Sequence, residues 1–286
     1  MRADLHLHSL CSDGKYAPAE VAARCKEAGL SLFSLTDHDS MEGVPEALAA
    51  AKELGICCVP GWEVSAYEDV KVHILGYGCE RGEAYFRFLK ERKEGALVRS
   101  EDMIEKANAV LGLNVGLHDA LALRARPDAP LHTMHVVRAF ARALGATEGD
   151  AYRETAGKLY LEFFDRGKPA YSDLCRPSPE DAIDIIHAAG GIAVLAHPGR
   201  IRLSEREKRA LLGRLTQRGL DGIECAYTTH TEEETQAYCA YAEAHGLMIS
   251  GGSDFHMEDG VHVVGMPVFE PDERLLNALR SRGVGI

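Results

Sequence analysis

The sequence predicts an α/β protein, a barrel of parallel strands carrying an inserted helical subdomain. Three observations lead there. Short apolar runs alternate with helical periodicity at both ends of the chain, the middle is helical in pattern, and His, Asp and Glu collect where the apolar runs stop.

Residues 3–8 read as the first strand, followed by a helix over 18–28 with apolar residues at helical spacing. Residues 30–36 form the second strand, and 44–54 a helix that stops at Gly55. The third strand covers 56–60 and the fourth 70–77. From 83 to 164 the pattern is mostly helical, with Arg, Glu and Lys on its faces and no convincing core strand. This stretch is the expected insertion, left through the turn Gly167-Lys168-Pro169, between barrel segments 1–82 and 165–286. Alternation then returns. Helices over 179–189, 205–218 and 232–245 precede strands at 192–196, 222–225 and 247–250. A final strand near 263–267 and a helix over 272–282 follow. About seven strands separated by helices imply parallel units, with functional residues at strand ends.

Length and composition suit one large domain with an insertion: 286 residues, 46% apolar and 27% charged. The 44 acidic and 32 basic residues leave a net charge of −12, which repels long polyanions but not a small phosphorylated ligand beside bound cations. No window reaches the ~18 apolar residues of a membrane helix, and the start lacks the apolar stretch of a signal peptide. Eight cysteines (11, 25, 57, 58, 79, 175, 225, 239) form no CxxC pair and read as reduced, which predicts a cytoplasmic protein. Oligomeric state is not encoded in any recognisable way.

Chemically capable residues sit at the strand ends. His6 and His8, two apart, share one face of the first strand. Asp37, His38 and Asp39 follow the second strand and Glu63 the third, while His73 lies within the fourth. His197 caps the fifth, Glu224 and His230 flank the end of the sixth, and Asp254 and His256 follow the seventh. Imidazole with carboxylate is the donor set of zinc, manganese or iron. One His-x-His is weak, since buried histidines are often satisfied structurally. Five strand ends supplying such residues favour metal. A single zinc uses three or four ligands. His6, His8, Asp13, His38, Glu63, His197, Asp254 and His256, with His73 and His135 as further candidates, suffice for two or three ions bridged by Glu63. Clustered cations suit phosphoryl chemistry, because they bind the non-bridging oxygens, supply hydroxide to attack phosphorus and stabilise the leaving oxygen.

The run from Asp4 to Gly14 (DLHLHSLCSDG) resembles the first motif of the PHP (polymerase and histidinol phosphatase) family. Leu35-Thr36-Asp37-His38-Asp39, Gly61-Trp62-Glu63-Val64-Ser65, Val72-His73-Ile74-Leu75-Gly76, Ala196-His197-Pro198-Gly199-Arg200 and Gly252-Ser253-Asp254-Phe255-His256 complete the resemblance, in order along nearly the whole chain. It implies a distorted (β/α)7 barrel with up to three ions. His6, His8, Glu63 and Asp254 would hold the first, Glu63, His197 and either His73 or His135 the second, and Asp13, His38 and His256 the third. The layout is similar to stand-alone members acting on small phosphorylated nucleotides and sugars: 3′,5′-nucleotide bisphosphate phosphatases, a phosphoribosyl cyclic phosphate hydrolase, and RNA 5′-end exonucleases.

For the substrate, Arg200 and Lys168 are candidate phosphate donors, the alternative being solvated surface cations. His230 would bind phosphate or protonate the departing alcohol, unless it is a surface histidine. Tyr171 offers a hydroxyl or a stacking face. His230, Arg200 and Asp254 are the expected catalytic residues. Related nucleotide phosphatases carry an arginine just before the histidine that enters an insertion helix. Here the run His132-Thr133-Met134-His135 keeps the histidine without the arginine, which leans the expectation toward a ribose phosphate ester or a cyclic phosphate. The rival classes are a C–N amidohydrolase, a processive nuclease, disfavoured by charge and by the absence of an aromatic and basic track, and a non-catalytic nucleotide-sensing domain.

Overall fold

A computed structural model describes residues 1–124 and 131–286, so the helical expectation for 125–130 lies outside the described residues. Seven strands form one sheet in sequence order: β1 (Ala3–Leu7), β2 (Leu32–Leu35), β3 (Cys57–Glu68), β4 (Val70–Tyr77), β5 (Ile192–Leu195), β6 (Gly222–Tyr227) and β7 (Met248–Gly252). The sheet curls until its edges meet. Asp254 N–H donates to the His6 carbonyl at 2.8 Å, and His8 N–H to the Phe255 carbonyl at 3.0 Å. The result is the nearly closed seven-strand barrel that the sequence predicts.

Flanking helices are α1 (Pro18–Glu27), α2 (Val44–Leu54), then, after the insertion, α7 (Pro179–Ala188), α8 (Glu205–Arg218), α9 (Glu232–His245) and α10 (Glu273–Arg280). Their starts are written locally. Ser178, Ser204 and Thr231 each accept from the backbone N–H three residues on, which satisfies donors the first helical turn cannot. Strand β1 is buried on both faces, with Leu5 and Leu7 packing into hydrophobic clusters. Alternation therefore turns His6 and His8 to the opposite side.

The chain divides into two compact units, 1–86 with 177–286, and 87–176. The helices α3 (Glu83–Leu111), α4 (Leu117–Leu121), α5 (Thr133–Ala143) and α6 (Gly149–Leu159) precede a π-helical stretch, Tyr160–Phe164. The second unit has its own core around Phe140, Phe164, Val136, Val137 and Ala107. Its boundaries fall four residues later than expected at the start and twelve later at the end, because residues 165–176 belong to it.

Three strand expectations are corrected. Strand β4 is antiparallel to both β3 and β5. Only Asp69, with φ of 53°, separates Glu68 from Val70, and so short a link makes a hairpin, since a parallel crossover needs a dozen or so residues. Strand β3 runs past Pro60 to Glu68, so Glu63 lies inside a strand and not after one. The Pro60-Gly61 pair, which reads as a strand end, is where β3 changes partner from β2 to β4. Residues 263–267 form no strand. That segment is held by Gly265 N–H donating to Asp4 at 2.8 Å and by a single bridge between Ala3 and Phe269.

Barrel closure makes a stability prediction. A Cβ on Gly252 would stand 2.4 Å from His6 Cβ and 2.6 Å from His6 N. Gly252→Ala must push β7 off β1, at a cost of about 1–3 kcal/mol or more. The thermal midpoint of the purified variant should fall by several degrees, at about 2–4 °C per kcal/mol. An unchanged midpoint would mean that the two edges do not pack this closely.

Candidate metal centre

The donors converge in the first unit. Donor atoms that lie within 4.8 Å of one another make three groups: His6, His8, Glu63 and Asp254; His38, Glu63 and His73; and His8, Asp13, His38 and His256. Glu63 is fully buried at their centre. Its Oε1 faces His73 Nδ1 at 2.6 Å, His197 Nε2 at 3.1 Å and His6 Nε2 at 3.4 Å. Its Oε2 faces His38 Nδ1 at 2.8 Å and His8 Nε2 at 3.4 Å. Asp254 Oδ1 stands 3.1 Å from His8 Nε2 and 3.4 Å from His6 Nε2. The third group is more open: Asp13 reaches His256 Nε2 at 3.2 Å and His38 Nε2 at 3.7 Å.

The backbone is bent to make this arrangement. Asp39, His197 and Asp254 all have positive φ, a region that costs non-glycine residues energy and is tolerated where surroundings impose it. Each is pinned through its N–H: Asp39 to the Glu63 carbonyl, Asp254 to the His6 carbonyl, and His197 to the Glu224 carboxylate at 2.6 Å. Glu224, fully buried, also takes His6 Nδ1 at 2.9 Å, which turns His6 Nε2 toward Glu63 and Asp254. Asp37 accepts from Ser9 N–H, Ser9 Oγ and Ser12 Oγ, fixing the loop that carries Asp13. Asp4 accepts from Ser253 and Gly265 N–H groups and so holds the approach to Asp254. Asp4, Asp37 and Glu224 are second-row supports that residue type alone did not separate from ligands.

The donor set fits bound cations. His6 Nε2, His8 Nε2, His38 Nδ1, both His73 ring nitrogens, His197 Nδ1 and Glu63 Oε2 are buried without a hydrogen-bond partner. Orphaned polar atoms at such density are costly unless they ligate. Burial, reinforced by the His38 charge, lowers the His8 imidazole to about 4, and burial lowers His73 to about 3, so both are neutral, as ligands must be. Burial opposes ionisation of Glu63, yet the His73, His38 and His6 rings hold its carboxyl well below the ordinary range.

Other expected residues are placed differently. His135 belongs to the second unit, where its Nδ1 accepts from His132 N–H at the start of α5, and none of the three donor groups includes it. Lys168 and Tyr171 belong to that unit too, in a turn where Tyr171 N–H donates to the Lys168 carbonyl. Arg200 reaches the centre: its NH1 donates to Asp254 Oδ2 at 3.0 Å and to Tyr227 Oη at 2.8 Å. His230 stands beside His197 but is engaged at both nitrogens, Nδ1 with the Cys225 carbonyl at 3.0 Å and Nε2 with Gly199 N–H at 3.1 Å. Burial lowers its proton affinity. It clamps the turn after His197 and has no spare proton for a leaving group. Tyr227, whose hydroxyl donates to Asp254 Oδ2 at 2.9 Å, and His262 behind it at 3.4 Å, carried no sequence signal as site residues.

The barrel and its buried His, Asp and Glu clusters suit a metal-dependent hydrolase, and comparison with known proteins makes it a phosphoesterase. The PHP domain model matches residues 4–210, more than half of the chain, so the chain belongs to the PHP domain family. It is 36% identical over 255 residues to a 3′,5′-nucleoside bisphosphate phosphatase of Chromobacterium violaceum, covering 88% of this chain and 86% of that one. It is 32% identical over 262 residues to a 5′-3′ exoribonuclease of Haemophilus influenzae, covering 90% of each. It is 31% identical over 266 residues to a phosphoribosyl 1,2-cyclic phosphate 1,2-diphosphodiesterase of Eggerthella lenta, covering 90% and 95%. A solved structure from C. violaceum, described as an amidohydrolase with bound sulfate and no metal, superposes with a TM-score of 0.72 at 31% identity over 99% of this chain and 97% of that one. Among the described residues, no helix is long and apolar enough to cross a membrane.

Two measurements check the centre. Glu224→Gln should weaken metal binding by roughly 10–100-fold in a competition titration, because His6 loses its orienting charge. Unchanged affinity would relegate Glu224 to packing. In metal-free protein, His8 and His73 are held below their unfolded value of 6.5, so the unfolded chain takes up protons first as pH falls. Their contribution is complete above pH ~6.5 and is lost progressively toward about 4 for His8 and about 3 for His73. The melting temperature of the metal-free protein should therefore drop across that window.

Proposed function

We propose that this chain hydrolyses phosphate esters of small sugars or nucleotides, with ribose phosphates and their cyclic esters foremost, at a centre of two or three manganese, zinc or iron ions. The observation that carries this reading is the buried Glu63 carboxylate shared by two of the three donor groups, an arrangement suited to more than one cation. Bound there, the ions would supply Lewis acidity and a nucleophile from water near neutral pH.

The residues divide the remaining work. His6, His8, Glu63 and Asp254 would hold the first ion, Glu63, His73 and His197 the second, and Asp13, His38 and His256 the third. Arg200 uses NH1 on Asp254 and Tyr227, which leaves the rest of its half-exposed guanidinium to grip a phosphoryl oxygen. A cyclic diester opened here leaves a monoester that the same groups can hold for a second hydrolysis.

Nucleoside bisphosphates and RNA 5′ ends are the second reading, favoured by the phosphatase and exoribonuclease relatives. The net charge of −12 favours the short substrates among them. Amide hydrolysis needs fewer ions and is separated by assay.

Metal analysis combined with a phosphate-release panel of sugar phosphates, cyclic phosphates, nucleoside bisphosphates, short RNA and amides tests the reading. At least two ions per chain and release from small phosphate esters are expected. Fewer ions, or no release from any compound, would sink it. His8→Ala and Asp254→Ala should abolish turnover, whereas Arg200→Ala should cost about 1–3 kcal/mol in kcat/KM.

A further inference from the structure

The proton that a departing alkoxide needs has no donor among the residues assigned so far. His6, His8, His38, His73, His197 and His256 face the donor carboxylates, and His230 is bonded to backbone at both nitrogens. His118, His132 and His135 belong to the second unit. His187 is paired with Asp221, and His245 bonds the Tyr241 carbonyl within α9. Of the thirteen histidines, His262 borders the centre with a ring nitrogen that no backbone group engages.

His262 is held as a proton donor would be. Its Nδ1 lies 2.6 Å from Asp259 Oδ2, while Asp259 Oδ1 accepts the N–H groups of Val261 at 2.8 Å and His262 at 2.7 Å. These bonds, the His262 side chain first, keep Asp259 ionised. The carboxylate can only accept, so Nδ1 carries hydrogen. On the other side, Nε2 is 3.4 Å from Tyr227 Oη. The Tyr227 hydroxyl is itself engaged elsewhere. Its single hydrogen goes to Asp254 Oδ2, and one lone pair receives Arg200 NH1. The contact at Nε2 is long and involves no backbone group, which leaves that nitrogen open to a substrate oxygen. The ring is only partly covered and can exchange protons with solvent.

Arg200 and His262 converge on the same hydroxyl, so a phosphoryl group gripped by Arg200 has its ester oxygen beside His262. Exposed Met257, Val261 and Val263 flank the histidine on the same segment, an apolar surface for the organic half of the ester.

We propose that His262, oriented by Asp259, is the general acid that protonates the leaving oxygen. The inference rests on the phosphoesterase reading above. As the oxygen of water bonds to phosphorus, the ester P–O bond breaks and its electron pair stays on the leaving oxygen. That oxygen takes the Nε2 proton of His262 and departs as an alcohol. The proton released by the attacking water returns to the imidazole through solvent, so water and ester become alcohol and phosphate.

The test uses the metal-loaded full chain with two esters, an alkyl phosphate that needs a proton and p-nitrophenyl phosphate, whose leaving group does not. His262→Gln should slow the alkyl ester by about 100-fold or more and the aryl ester by only a few-fold, with metal content unchanged. Asp259→Asn should show the same selectivity, more weakly. Nitrogen-15 spectra of wild-type protein at pH 7 should show His262 with hydrogen on both nitrogens. Equal slowing of both esters, no slowing of either, or a neutral His262 would overturn the assignment while leaving the phosphoesterase reading intact. A wild-type enzyme inactive on every ester would overturn both.

Discussion

The structure turns on one buried carboxylate. Glu63 is inaccessible to solvent, and five imidazoles point at its two oxygens. An isolated carboxylate so deep would cost several kcal/mol, and the His73, His38 and His6 rings around Glu63 outweigh burial and hold it ionised. The strands beside it are arranged accordingly. Glu63 N–H donates to the Asp37 carbonyl, the Glu63 carbonyl receives Asp39 N–H, and β3 leaves β2 for β4 within a few residues of this point. Cations bound there would take over from the rings as partners of the carboxylate, which would couple metal binding to barrel integrity.

Carboxylates in this chain therefore fall into two trades. Glu63, Asp254 and Asp13 aim oxygens at imidazoles. Asp4, Asp37 and Glu224 aim theirs at backbone N–H groups, serine hydroxyls and the far nitrogen of His6. The second set spends charge on geometry: it holds the loops after β1 and β7 and the turn after β5, where no regular ladder fixes the chain. Positive φ at Asp254 and His197 is sustained by those bonds.

Much of this was legible in the sequence because it is local. Alternation puts His6 and His8 on one face, and the donors at the other strand ends follow from the strand pattern. The antiparallel β4 was missed because a hairpin closed by one residue at positive φ leaves no Asn-Gly or Gly-Gly mark at Asp69. Pro60-Gly61 misled in the opposite sense, ending a strand that in fact changes partners. The support carried by Glu224 and the bonds around Tyr227 join residues far apart in sequence, such as His6 with Glu224 and Tyr227 with His262. No periodicity announces such pairs. His230 looked available because its backbone partners, Cys225 and Gly199, reach it only after folding.

Net charge and site charge then pull in different directions, and the difference bears on selectivity. A chain at −12 repels an extended polyanion along most of its surface. At the rim of the centre, by contrast, Arg200 and His262 meet over the Tyr227 hydroxyl, with the second oxygen of Asp254 beneath them. That carboxylate oxygen holds Arg200 NH1 and the Tyr227 hydroxyl and leaves the rest of the half-exposed guanidinium unspent. A compact phosphate ester needs only this local field and the ions below it, because screening confines the surrounding negative surface to about 8–10 Å. Each further phosphate of a longer chain adds repulsion from a protein whose net charge is −12.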